Sequence, residues 1–274
     1  MTENFNRYLR EVQYKDPSNL DARVDLHRRY SRNRQGLHRW IFDYLLERAD
    51  GRILELGSGP GHLWRRNLDR IPISFPLILS DASHGMITAA RRELSTVPAH
   101  FHYAVIDAQS LPLPSNSFNI VIANHMIYHI PDIPKAIEDM HRIISRDGCL
   151  LAATNGDDHL HEIDDLVHSI DPSIIFGSRD LKDIRIIPFS MSNGRELLNA
   201  SFERVHKFKF DDELIITEVE PLVQYILSFP GNAREVFASE EKLSELKTTI
   251  AESIRKDGAF YVTKSAGLFV ALKG

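Results

Sequence analysis

Residues 53–62 read ILELGSGPGH: an apolar run, an acid within it at Glu55, then glycines on alternate positions at Gly57, Gly59 and Gly61. Glycines spaced this way let the backbone turn sharply and approach a ligand closely. A dinucleotide loop places glycine at its first, third and sixth positions, so that a pyrophosphate rests on a helix N-terminus. Here the sixth position is His62, and Pro60 removes an amide hydrogen that would otherwise face an anion. An acid in front of the loop repels phosphate and attracts a cation. The stretch therefore suits a ligand that is partly cationic and carries no phosphate. Three more polar residues close later apolar runs, Asp81, Asp107 and Asn124. His125, Tyr128 and His129 follow at once and are the candidates for moving a proton.

These residues need a frame that brings the ends of several strands together. Leu37, Trp40, Ile41, Tyr44 and Leu45 share one helical face, and Gly51 ends that helix. Apolar runs at Ile53–Leu56, Pro76–Ser80, Phe101–Ile106, Phe118–Ala123 and Cys149–Thr154 predict five strands. Helical segments separate them at Ser83–Leu94 and from Ile133 onward, where Ala136, Ile137, Met140, Ile143 and Ile144 trace a stripe ending before Gly148. Strands alternating with helices indicate a parallel α/β sheet covered on both faces. Ligands on such sheets sit beyond the C-terminal strand ends, where Glu55, Asp81, Asp107 and Asn124 all fall. Further on, 156–203 is polar and helical with Pro188 interrupting, and 208–217 is a strand candidate despite its charges. Residues 218–256 are mostly helical with a break at Phe229-Pro230-Gly231, and Gly267–Lys273 is a final strand. The organisation expected is an N-terminal helical cap over 1–49, an α/β core over 50–155, and lid helices with closing strands over 156–274.

Composition narrows the function classes. The chain has 274 residues, 43% hydrophobic and 26% charged, with a formal net charge of -5. That balance gives no general attraction to nucleic acid or an anionic membrane. The N-terminus lacks the apolar centre of a signal peptide, and no apolar run approaches the roughly 20 residues of a membrane span, so a cytoplasmic protein is expected. A single cysteine, Cys149, permits neither an internal disulfide nor a Cys-rich zinc site.

Four stretches together resemble one family. LELGSGPG is similar to the first motif of class I S-adenosylmethionine-dependent methyltransferases, and SDASHGMITAAR to their second. DAQSLPLPSNSFNIVIANHMIYHIPD resembles their third and fourth. The nearest branch is that of the menaquinone and ubiquinone C-methyltransferases and small-molecule tailoring enzymes, and the likeness covers roughly 50–155. It implies a Rossmann-like seven-stranded sheet of order 3-2-1-4-5-7-6, with the last strand antiparallel and a helical lid. It also implies S-adenosyl-L-methionine as cofactor and S-adenosyl-L-homocysteine as product. This cofactor meets the demands of the loop, since it has a sulfonium, an ammonium, an adenosine and no phosphate. By the same resemblance Gly57, Ser58, Gly59 and Gly61 form the loop around the methionine part, with Glu55 anchoring the loop or the ammonium. Asp81 takes the ribose, Ala82 and Met86 pack near adenine, and Asp107 accepts from its amino group with Ala108 and Gln109 beside it. Asn124 and the His125 side chain face the sulfonium.

Methyl transfer from an activated donor rests largely on positioning, and a base is needed only if the nucleophile keeps its proton. His125 is the first candidate base and Tyr128 the second, while His129 suits packing. The tetrapeptide NHMI differs from the Asn/Asp-Pro-Pro-aromatic motif of nucleic-acid amino methylases, so the expected partner is a small molecule or short peptide rather than nucleic acid. The run HRRYSRNRQ is either a solvated face or the source of one arginine near the cofactor carboxylate. GDDHLHEIDD, residues 156–165, is an acid-rich helix start or an electrostatic trap for a cationic acceptor through Asp157 and Asp158. A metal held by Asp157, Asp158, His159 and His161 is disfavoured because such pairs specify little. N- or O-methylation of a metabolite is the leading expectation, with C-methylation of a quinone-type aromatic beside it. A nicotinamide-dependent dehydrogenase and a non-catalytic cofactor-binding regulator are the rivals.

Overall fold

The computed structural model describes residue 15 and residues 17–48, 51–71, 76–97, 100–175, 188–229 and 231–274. The expectations for the first turns of the N-terminal cap, for 176–187 of the lid and for Pro230 lie outside them. The described chain forms a seven-stranded sheet of order β3-β2-β1-β4-β5-β7-β6. Its strands are β1 (Ile53–Leu56), β2 (Leu77–Asp81), β3 (Phe101–Val105), β4 (Phe118–Asn124), β5 (Ile144–Asn155), β6 (Arg204–Ile216) and β7 (Phe260–Leu272). The first five pair in parallel, and β7 runs antiparallel to both β5 and β6. This is the sheet that the resemblance implied.

Helices cover both faces, as an all-buried centre requires. On one face α5 (Ile133–Ile143) and α7 (Gly194–Asn199) pack over Leu54, Val121 and Leu150. On the other, α2 (Leu37–Leu46), the short α3 (His62–Arg65) and α4 (His84–Glu93) cover Ile53, Ile122 and Leu151. Successive residues of one strand feed opposite cores, the period-2 pattern of a strand buried twice. A separate apolar cluster joins α1 (Ser18–Tyr30), α6 (His161–Ile170), α8 (Val219–Leu227), α9 (Ala233–Val236) and α10 (Glu240–Asp257) to Leu214, Ile216 and Val262 of the β6–β7 hairpin. That helical layer stands over the C-terminal strand ends.

Local signals set most boundaries. Ser83 caps α4 by accepting from the Met86 amide, and Asp132 caps α5 by accepting from Lys135. The structure corrects the helical stripe at one residue. Ile144 is extended and pairs with Phe118, so β5 starts five residues before Cys149. Its side chain is apolar and buried in either reading, so hydrophobic spacing alone could not place it. The last strand also begins earlier than Gly267, at Phe260.

Candidate functional site

The glycine loop leaves β1 and is closed by its own amides. Ser58 N–H donates to the Ser80 carbonyl at 2.9 Å, Gly59 N–H to Asp81 Oδ2 at 3.0 Å, and Gly61 N–H to the Ser58 carbonyl at 3.1 Å. With Pro60 lacking an amide hydrogen, these donors point into the protein rather than at a ligand anion. Gly57 has φ +63° and a Cβ there would sit 2.8 Å from Met126 Cβ, so no other residue fits without displacing the chain.

Glu55 is buried and accepts from the Trp64 indole at 2.6 Å. Burial pushes its carboxyl up to about 8, reinforced by the nearby Asp81, while the Trp64 indole and the Asn124 amide oppose the shift. Asp81 accepts from the Gly59 amide through Oδ2 and from the Ser83 amide at 2.8 Å through Oδ1. Burial raises its pKa as well, against those two bonds. A carboxylate has about four acceptor positions, so Asp81 keeps capacity for two hydroxyls. Asp107 is held by the Gln109 backbone amide at 3.0 Å and by the Gln109 side chain, which folds back on both of its oxygens at 3.1 Å.

These groups open into one cavity of about 560 Å³, within the range of small-molecule sites. Glu55, Gly57, Ser58, Gly59, Asp81, Ala82 and Met86 line it, as do Asp107, Ala108, Gln109, Asn124, His125 and Tyr128. Gly61 does not; it has φ +82° at the entry to α3, where a Cβ would meet Leu94. Asp157 and Asp158 also lie outside the lining, exposed, with Asp157 accepting from Ser192 Oγ at 2.5 Å. Among the described residues no group of His, Cys, Asp and Glu could hold a metal ion.

Further lining comes from residues that the sequence did not assign to the cofactor or the acceptor. His27 of α1, His38 of α2, His62 of α3, His159 and Lys264 of β7 all line the cavity. Burial, aided by neighbouring cations, lowers His38 to about 3, His125 and His129 to about 4, and His27 well below its ordinary value. His125 also holds a left-handed backbone, φ 52°, fixed by its amide donating to the Ala153 carbonyl at 2.9 Å. Lys264 is buried and donates to Asp212 at 2.6 Å and to Ser31 at 2.9 Å. From the basic run, Arg28 and Arg34 reach the cavity, while Arg29 and Arg32 pair with Glu218 and Glu213. Cys149 is buried with its thiol pushed up to about 11, unsuited to nucleophilic attack.

The chain is similar in sequence to known methyltransferases. Residues 54–152 match the family model described as a methyltransferase domain. The ubiquinone/menaquinone biosynthesis C-methyltransferase UbiE of Dinoroseobacter shibae is 32% identical over 122 residues, 42% of this chain and 48% of that one. The mitochondrial arginine-hydroxylase NDUFAF5 of Rattus norvegicus is 26% identical over 136 residues, 44% of this chain and 38% of that one. The match thus spans about half or less of the curated relatives' own length. A Haemonchus contortus phosphoethanolamine N-methyltransferase 2, solved with S-adenosyl-L-methionine, shares the fold at 19% identity and TM-score 0.55, covering 98% of this chain and 60% of that one. The [4+2]-cyclase SpnF shares it at 17% identity and TM-score 0.52, over 89% of this chain and 86% of that one.

Proposed function

We propose that this chain, whose residues 54–152 match the methyltransferase-domain model, is a class I S-adenosylmethionine-dependent methyltransferase that methylates a small-molecule acceptor bound beneath its helical layer. The observation that carries this reading is the loop whose amides turn inward onto Ser80 and Asp81, leaving a ligand site with acids and no phosphate cradle. The residues fit the cofactor. Asp81 would hold the ribose hydroxyls, Met86 and Ala108 would bound the adenine, and Glu55 with Gly57 to Gly59 would bound the methionine part. When bound, S-adenosylmethionine supplies a methyl group on a sulfonium that leaves as a neutral thioether. The chain's own contribution is orientation and exclusion of water by α1, α6 and α8, the lid of this reading.

None of the buried imidazoles is a strong base at neutral pH, because burial keeps His125, His129, His27 and His38 neutral down to acid values. This favours an acceptor that arrives ready to react, at oxygen or at an activated carbon, over one needing deprotonation by the protein. Isothermal titration should show binding of S-adenosylhomocysteine and no comparable binding of NAD; tight NAD binding overturns the proposal. A metabolite screen with labelled methyl donor should then transfer label. A second reading, cofactor binding that serves another reaction, draws on the hydroxylase and cyclase named above, and binding without label transfer to any acceptor would favour it.

A further inference from the structure

The cavity has two electrostatic halves. Its acids, Glu55, Asp81 and Asp107, sit at the ends of the first strands, on the wall read above as the cofactor's. The rest of the lining carries His27, His159 and Lys264 close to His125, and no acid among the described residues. Asp212, behind Lys264, is already satisfied: it accepts from Lys264 Nζ, from Ser31 Oγ and from the Asn33 amide at 2.8 Å. Lys264 spends two of its three N–H donors on Asp212 and Ser31, and beyond these its ammonium has only the face of the Phe210 ring, 5.4 Å away, among the described residues, which leaves one N–H without a hydrogen-bond acceptor. His27 Nδ1 and His125 Nε2 are buried with no hydrogen-bond partner among the described residues. The His27 ring is fixed by stacking on His159 at 6.2 Å and by the edge of Tyr225 at 5.8 Å. Buried polar atoms left open in this way are rare in folded proteins and call for a ligand or water.

We propose that His27, His125 and Lys264 form an acceptor subsite for a compact oxyanion, a carboxylate or a phenolate or enolate oxygen. Such a group accepts from the remaining Lys264 N–H and from N–H tautomers of both imidazoles, satisfying these three positions at once. An ammonium has no acceptor carboxylate here among the described residues and meets the Lys264 charge, which adds to burial in suppressing protonation of His27 and His125. An oxyanion also needs no base, in keeping with imidazoles held neutral. The cationic acceptor that the sequence allowed through Asp157 and Asp158 finds those carboxylates outside the cavity instead.

The inference rests on the proposed function, and the test separates the two. With the protein saturated in S-adenosylhomocysteine, isothermal titration would compare benzoate, benzamide and benzylamine, matched in shape and differing in charge. Benzoate should bind at least about tenfold more tightly than benzamide, the discrimination expected of charged hydrogen bonds, and benzylamine more weakly still. His27→Phe should reduce that preference several-fold while S-adenosylhomocysteine affinity is retained. Replacing the pair together, Lys264→Met with Asp212→Leu, should abolish the preference without leaving a buried charge. If either variant fails to fold, the wild-type charge series still decides. Equal or tighter binding of benzamide or benzylamine overturns the inference, as does absence of benzoate binding to the loaded protein. Failure to bind S-adenosylhomocysteine removes the methyltransferase reading itself.

Discussion

Asp81 has two duties that a single carboxylate can perform together. It ties the glycine loop through the Gly59 amide and starts the turn into α4 through the Ser83 amide, and its remaining lone pairs face the cavity. Two charge-assisted bonds to ribose hydroxyls contribute about 2–4 kcal/mol. Asp81→Ala should therefore weaken S-adenosylhomocysteine binding by that amount, read by isothermal titration. Unchanged affinity in a folded variant would place the ribose elsewhere. Asp81, Glu55 and Asp107 were legible in the sequence because each lies at or near the C-terminal end of a short apolar strand in an α/β alternation, so one local pattern puts all of them at one edge. His27, His159 and Lys264 were not. They come from α1, from the link before α6 and from β7, and only tertiary packing makes them neighbours. A lone histidine in a helix carries no signal of where its ring will end.

At the scale of elements, the helical layer is tied to the sheet through a buried ion pair. Ser31 ends α1, bridges to Leu214, and shares the Asp212–Lys264 pair in the register of the β6–β7 hairpin. Among the described residues Lys264 has no acid partner but Asp212, and both side chains are buried. Removing one member of such a pair leaves an uncompensated charge and costs about 3–5 kcal/mol. Asp212→Ala should destabilise the protein by that much in guanidine denaturation, whereas Asp212→Leu combined with Lys264→Met should recover most of the loss. Equal destabilisation by the single and double changes would mean that the pair has no such role. The sequence hid this tie for a physical reason. β6 and β7 are the antiparallel margin of the sheet, and their charged residues interrupt the apolar runs that marked β1, β2 and β4. Lys264 lies in 260–266, the part of β7 ahead of the strand expected at Gly267–Lys273, where Thr263, Lys264 and Ser265 interrupt the apolar residues, and so its register partner Asp212 was out of view. Helix α5 was legible by contrast because its apolar stripe, cap and first-turn proline agree.

For the whole molecule, the buried titratable groups oppose one another across pH. Glu55 has its folded pKa raised to about 8 from an ordinary 4.5, so the folded state binds more protons than the unfolded one between those values. Its contribution to stability is present below about 4.5 and is lost as pH rises through about 8. The histidines act in the other direction. His125 and His129 titrate at about 4 when folded, and His27 and His38 are lowered as well, against 6.5 unfolded. Their contribution is present above 6.5 and is lost as pH falls toward 4. Each group in its window contributes a slope of about 1.4 kcal/mol per pH unit. Below 6.5 four histidines outweigh one glutamate, so stability should fall steeply on acidification. Above 6.5 Glu55 is alone among these groups, and stability should decline gently toward pH 8. Denaturation midpoints measured from pH 4.5 to 8.5 should therefore peak near neutrality, with the acid side several-fold steeper. Glu55→Gln should flatten the alkaline side and leave the acid side in place. A stability curve that keeps rising to pH 8.5 in the wild-type protein, or an alkaline slope unchanged by Glu55→Gln, would show that Glu55 is ionised in the fold. In that case its charge is already matched inside the loop, and the cofactor's ammonium would meet a carboxylate rather than a neutral acid.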